Sequence, residues 1–138
     1  MNKSGLFWIL FTILIVAIGA VLALFILTRT SVPFTELYFY EPESLPSELR
    51  LDQEGSFTFV VINHENKPME YEYTVVQESH IGTQTSEEIL SSASFSLESG
   101  DYETFSLNFE LAESIEKSQV IVSVADQEIY FWVNSSEQ

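Results

Sequence analysis

The chain has 138 residues, a formal net charge of −16 at pH 7 and no cysteine. Five basic residues against 21 acidic ones cannot form the positive patch that binds a phosphate backbone, so the composition excludes nucleic acid as a partner. The absence of cysteine excludes disulfides, thiolate nucleophiles and cysteine-ligated metals.

The first predicted element is an uncharged apolar run from Leu6 to Leu27. As a helix it would reach about 33 Å, which is enough to cross the hydrocarbon core of a bilayer. It is longer than the apolar region of about 7 to 15 residues in a secretory signal. The sequence therefore predicts an N-terminal tail over residues 1–5, a transmembrane helix over 6–28 in contact with the lipid bilayer, and a linker over 29–33.

The charges on either side of this run set the expected orientation. Lys3 precedes the run and Arg29 follows it, so the positive-inside bias is slight. Most short N-terminal anchors hold an exported domain, which favours a single-pass protein of the cell membrane with an extracytoplasmic C-terminal domain. From Phe34 onward, three basic residues stand against all 21 acidic ones, a formal charge of −18. The exported domain would be strongly anionic.

From Phe34 onward the pattern changes to an alternation of apolar and polar residues with a period of two, which indicates half-buried strands. The clearest example is the apolar series Phe105, Leu107, Phe109 and Leu111. Turn signals separate the runs at Glu54-Gly55, residues 63–68, Gly82, residues 99–101 and Asp126-Gln127. The sequence predicts an all-β fold over residues 34–134, an immunoglobulin-like antiparallel β-sandwich of about seven strands, followed by a C-terminal tail over 135–138.

Neither a metal nor a cofactor is predicted. A metal site needs three or four converging ligands, and only His64 and Glu65 are adjacent, with His80 at the far end of the next predicted strand. The acidic residues between Tyr40 and Gly55 lack the spacing of a calcium loop. We interpret the polar stretch around His64 as a turn between two strands.

Catalytic motifs are missing as well. The sequence contains no nucleophile elbow, zinc-protease motif or glycine-rich phosphate loop, so we expect no enzyme. Aromatic residues at positions 38, 40, 130 and 132 fall on the opposite parity from the aliphatic residues of their strands. Tyr38, Tyr40, Tyr130 and Trp132 are therefore a candidate face for a protein or a glycan, unless both faces of their strands are covered.

Four short motifs after the apolar run carry a family resemblance. They are Phe34–Tyr38, Asn63–Glu65, Leu97 with Gly100 and Asp101, and Phe131–Val133. In this order they resemble the extracytoplasmic domain of the DUF1616 family of archaeal membrane proteins. The resemblance covers about the last hundred residues and implies an immunoglobulin-like sandwich similar to the CARDB and NEW3 modules. Members of that family usually carry several membrane helices, whereas this chain is predicted to have one.

The resemblance also implies a structural role for the turn residues. We expect Asn63 to occupy an Asx-type or left-handed turn position and Glu65 to accept backbone hydrogen bonds from the loop, so that both lock the hairpin. Gly100, at a corner with Asp101, is expected to supply a positive φ angle.

Two classes of function remain open. The first is a non-catalytic interaction module or accessory subunit of an envelope membrane complex, bound to a membrane or cell-surface protein. The alternatives are a pilin-like filament subunit, processed after Gly5 although Leu10 stands where such pilins carry glutamate, or a glycan-binding surface domain. Asn134 lies in an N-x-S pattern and is a candidate for glycosylation.

Overall fold

The computed structural model describes residues 3–28, 32–111 and 115–136, and the chain divides into two units, residues 1–32 and 33–138. The first unit is helix α1, Lys3–Leu27, which begins three residues before the predicted helix because the polar residues at its start continue the same helical backbone. Its segment Phe7–Leu27 is long and apolar enough to cross a membrane. The predicted tails and linker include residues 1–2, 29–31 and 137–138, which lie outside the described residues.

The second unit consists of strands that form two sheets. The strands are β1 (Thr35–Phe39), β2 (Glu48–Leu49), β3 (Glu54–Asn63), β4 (Met69–Ile81), β5 (Gln84–Leu97), β6 (Tyr102–Glu110), β7 (Lys117–Val124) and β8 (Gln127–Ser135). One sheet has the order β1-β3-β6 and the other the order β2-β8-β7-β4-β5. The predicted immunoglobulin-like sandwich is confirmed, with three strands packed against five.

Three details differ from the expectation. Strand β2 pairs with β8 in parallel, whereas a purely antiparallel fold was predicted, and β8 extends to Ser135 because that residue pairs with Leu49. Glu54-Gly55 is not a turn but the start of β3, where Gly55 pairs with Phe109. A Cβ atom at Gly55 would lie 2.6 Å from Leu49 Cδ1, so this glycine serves close packing.

The core lies between the two sheets and is rich in aromatic rings. Phe59 and Phe105 on the three-stranded sheet stack with their centroids 5.1 Å apart. Tyr73 on the five-stranded sheet lies 4.7 Å from Phe105 and 5.4 Å from Phe59. Fully buried valines of β3, β4, β7 and β8 fill the space around the rings: Val61, Val75, Val120, Val122 and Val133. Such close packing holds both sheets rigid, so their outer faces keep fixed positions.

Candidate docking surface

A row of apolar side chains crosses the outer face of the five-stranded sheet. Tyr130 on β8 pairs with Ile121 on β7, Ile121 pairs with Val76 on β4, and Val76 pairs with Ile89 on β5. Because directly opposed residues point to the same face, these four side chains form one line of about 14 Å across four strands. The two ends are open to solvent, since Tyr130 is 56% and Ile89 67% exposed. We call these four residues the apolar row.

The apolar row is bordered by polar and acidic positions. On one side the next line contains Trp132, Gln119, Glu78 and Glu87, and on the other side it contains Glu128, Ser123, Thr74 and Ser92. An exposed apolar patch with a polar rim is the usual composition of a protein interface. The surface therefore combines a hydrophobic line with negative charge at its border.

Trp132 has one ring face already occupied. The Nζ atom of Lys117 lies 3.9 Å from the ring centroid, a cation–π contact, and the ring of His80 lies 5.5 Å away. The Nε2 atom of His80 lies 3.0 Å from Glu78 Oε1, an ion-pair distance without hydrogen-bond geometry, and its Nδ1 atom lies 3.3 Å from Thr85 Oγ1. Stacking a sugar on that face of Trp132 would require displacement of Lys117. This contact favours a protein contact over a glycan at Trp132.

The four aromatic residues expected to share one face do not lie together. Tyr130 and Trp132 project from the five-stranded sheet, whereas Tyr38 projects from β1 on the outer face of the three-stranded sheet, and Tyr40 follows at the end of that strand. The expectation of one four-residue face is wrong. Strand parity distinguishes inward from outward residues but does not identify the sheet to which a strand belongs.

Three residues of the apolar row were missed from the sequence. Val76, Ile121 and Ile89 lie on strands where apolar residues occupy both parities, for example Val120, Ile121 and Val122. That double parity was the available signal, since a strand with both faces apolar contacts something on each side. Only the strand pairing shows that the three outward residues are neighbours.

Asn63 is the buried centre of the corner where the β3–β4 and β5–β6 turns meet. Its side chain is fully buried. Its Nδ2 atom donates to the carbonyl oxygens of Lys67, Leu97 and Glu98 at 2.9, 3.0 and 3.1 Å, and its Oδ1 atom accepts from the backbone N–H of Glu65 at 2.8 Å. The last contact is the local geometry of an Asx turn. Asn63 thus ties two distant turns together.

The neighbouring contacts of this corner run through backbone groups. Glu65 contributes its N–H and its carbonyl oxygen, which accepts from Ser99 Oγ at 2.7 Å, whereas its carboxylate, expected to accept hydrogen bonds, accepts none from any described residue. Gly100 has φ of +86° and donates to the Asn63 carbonyl at 2.7 Å, and the Asp101 carbonyl accepts from the Asn63 N–H at 2.9 Å. The corner is a structural site in which the polar atoms of the Asn63 side chain are satisfied internally.

His64 connects this turn to the first strand. Its ring stacks on Phe34 with centroids 4.5 Å apart, and its Nε2 atom lies 2.8 Å from Glu36 Oε2. Its backbone N–H donates to the Phe34 carbonyl at 3.0 Å. All three contacts fasten the start of β1, so the polar turn holds the place where the sandwich begins. Within residues 3–28, 32–111 and 115–136, no three His, Asp or Glu side chains converge to hold a metal ion.

Asn134 lies near the end of β8. It is exposed and occupies the same outer face as Trp132, two residues away, and it pairs with Lys117 of β7. A sugar attached there would stand beside the acidic border of the apolar row.

Comparison with known proteins shows the fold. No family model matches the chain, and no curated protein matches it. A CARDB domain from Pyrococcus furiosus, solved in complex with di-metal ions, superposes with a TM-score of 0.57 at 11% identity, over 79% of this chain and 97% of that domain. The sandwich is CARDB-like.

Larger proteins contain similar regions. A β-glucosidase from Listeria innocua in complex with gluconolactone matches with a TM-score of 0.63 at 16% identity, over 78% of this chain. An alkylpurine DNA glycosylase from Pseudomonas fluorescens, bound to DNA containing an abasic site analog, matches with a TM-score of 0.59 at 12% identity, over 83% of this chain. This chain spans only 17% of the glucosidase and 34% of the glycosylase. At such identities the likeness establishes the sandwich alone.

Proposed function

We propose that this protein is a single-span, membrane-anchored, non-catalytic interaction module, an accessory subunit of an envelope membrane complex. The observation that carries the proposal is the apolar row on the outer face of the five-stranded sheet. The helix Phe7–Leu27 supplies the anchor, and the resemblance of the four sequence motifs to the extracytoplasmic domain of DUF1616 proteins supports an exported location.

The apolar row has enough exposed surface to contribute to binding. Full burial of an exposed isoleucine or tyrosine side chain contributes roughly 1.5–3 kcal/mol. Tyr130 is 56% and Ile89 67% exposed, so each would contribute about 1–2 kcal/mol when covered. Trp132, two residues from Tyr130 on β8, is of the residue type most often found at the energetic centre of an interface. The row would therefore act as the apolar centre of a protein contact.

A site-specific crosslinking experiment tests this proposal. A photoreactive phenylalanine analogue replaces Tyr130 in the full-length protein in its native membrane, and the same analogue replaces Tyr38 as the matched control. Both residues are exposed tyrosines, but they project from different sheets. We expect a discrete crosslinked protein from position 130 and none from position 38. Equal crosslinking from both positions, or none from position 130, would contradict the proposed docking surface.

The orientation of the domain is tested separately by cysteine labelling. Because the sequence contains no cysteine, only an introduced cysteine can react. Ser106, which is exposed on the outer face of the three-stranded sheet and so away from the apolar row, is replaced by cysteine and treated on intact cells with a membrane-impermeant maleimide. An extracytoplasmic domain is labelled without lysis. Labelling only after lysis would place the domain in the cytoplasm and remove the exported part of the proposal.

A further inference from the structure

Strand β5 is a long edge strand of the five-stranded sheet. It runs from Gln84 to Leu97 and, among the described strands, pairs only with β4. Edge strands in soluble proteins are usually blocked by lysine, proline or short length, because unpaired backbone groups attract another strand. β5 has neither lysine, arginine nor proline. Its outer edge therefore leaves backbone N–H and C=O groups available to a partner.

A bulge divides this edge into two parts. The pairing with β4 shifts between Val75 and Val76, so that Ser91 and Ile89 are paired while Leu90 is the extra residue. The first part carries Glu87 and Glu88. The second part, Ser91–Leu97, is uncharged along its whole length. This second part is the segment on which a further strand meets no charged side chain from β5 itself.

Two glutamates lie one strand inward from this segment. Glu72 pairs with Ser94 and Glu70 pairs with Ser96, and all four residues point to the outer face and are exposed. They line a shallow surface depression between the two strands. The serine side chains are short, so the carboxylates remain reachable from beyond the edge. Carboxylates in such a position attract the long side chains of lysine or arginine.

We propose that Ser91–Leu97 binds an extended segment of a partner protein by strand addition, and that this segment carries lysine or arginine at alternate positions. The added strand would lie about 5 Å from β5 and about 10 Å from β4. Its backbone pairs with the edge of β5, and its cationic side chains cross Ser94 and Ser96 to reach Glu72 and Glu70. This goes beyond the proposed function, because it uses a backbone edge rather than the apolar row.

The negative charge of the domain favours a cationic partner segment at this edge. From Phe34 onward the chain carries a formal charge of −18, so a second copy would bring an equally anionic surface to the same edge. A cationic segment instead neutralises Glu70 and Glu72 and is steered towards them. The occupant is therefore a basic extended polypeptide rather than another copy of this chain.

Synthetic peptides test the proposal on the full-length protein in detergent micelles. The probe is a ten-residue peptide in which arginine and threonine alternate, and fluorescence anisotropy measures its binding. Two further peptides carry N-methyl groups either on the arginine amides alone or on every amide. In an extended strand the amides of alternate residues point to opposite edges, so strand addition requires only one of the two sets. We expect the fully methylated peptide to bind at least about tenfold more weakly than the probe and the peptide methylated on its arginine amides alone to bind like the probe.

The glutamates are tested with a charge-matched control. The double variant E70Q/E72Q is compared with E54Q/E110Q, whose glutamates oppose each other on the outer face of the three-stranded sheet. Both variants remove the same charge from exposed positions. We expect E70Q/E72Q to weaken binding of the probe by about tenfold and E54Q/E110Q to change it by less than about twofold.

Four results would overturn the proposal, of which the first three concern peptide binding. These three are equal binding of both methylated peptides, which indicates charge attraction without strand pairing; equal effects of the two glutamine variants; and the absence of binding by the probe. A dimer in sedimentation that is abolished by the substitution Ser94→Lys, but not by Ser106→Lys on the other sheet, would assign the edge to a second copy and also overturn it. The substitution Tyr130→Ser should leave peptide binding unchanged, so failure of this proposal is distinguishable from failure of the apolar row.

Discussion

Replacement of Asn63 by alanine should lower the free energy of unfolding of the sandwich more than replacement of any exposed residue in the same turn. The two hydrogens of Nδ2 are shared among the carbonyl oxygens of Lys67, Leu97 and Glu98, and Oδ1 accepts one further bond from Glu65. This is equivalent to three hydrogen bonds at about 1 kcal/mol each, so the free energy of unfolding should fall by about 3 kcal/mol. In a domain of this size the melting temperature should fall by roughly 12–24 °C.

The assay is thermal and urea unfolding of the full-length protein in micelles, followed by near-ultraviolet circular dichroism of the packed aromatic residues. Asn66→Ala is the matched control, because Asn66 lies in the same turn and is exposed. It should lose less than about 0.5 kcal/mol. A loss for Asn63→Ala as small as that of the control would refute the idea that the buried amide ties the two turns together.

The substitution Asn63→Asp refines this test. It keeps the shape of the side chain but replaces the donor with an oxygen that faces three carbonyl oxygens. Burial and these oxygens disfavour the charged form, so the pKa of the introduced carboxyl should be higher in the folded than in the unfolded state. The folded state then binds the proton more tightly, and stability should increase as the pH falls through that raised pKa. A pH-independent stability difference from the native protein would contradict this reasoning.

Three further changes are expected to alter stability. Ala125 has φ of +53° in the two-residue turn between β7 and β8. Ala125→Gly should therefore raise the free energy of unfolding by about 0.5–1 kcal/mol. A decrease of that free energy in urea denaturation would contradict the idea that Ala125 is strained. Gly55→Ala would place a Cβ atom 2.9 Å from Phe109 Cε1 and should cost about 1–3 kcal/mol, and an unchanged urea midpoint would contradict the close packing. His64→Ala removes the partly exposed contact with Glu36 and should lower the free energy of unfolding by about 0.5–1 kcal/mol. This value is obtained by comparison with the same substitution in a Glu36→Gln background, which lacks the charged partner.

Local patterns were sufficient to predict the kinds of element. The uncharged run Leu6–Leu27 predicts a helix because its length and polarity match a bilayer, and the alternation around Phe105 and Phe109 predicts strands because successive residues point to opposite faces. The corner at Gly100 was also visible in the sequence, since a positive φ angle favours glycine. Each of these inferences uses residues that are close together in the chain.

Which strands are neighbours, and in which register, was decided only by the tertiary structure. Tyr38 and Tyr130 have the same parity signal but belong to different sheets, and nothing within either strand encodes that difference. The apolar row exists because four separate strands align Tyr130, Ile121, Val76 and Ile89, with the register of the last pair set by a bulge. Pairing depends on contacts between distant parts of the chain, so the sequence determined which residues face outward and the fold determined which of them form a surface.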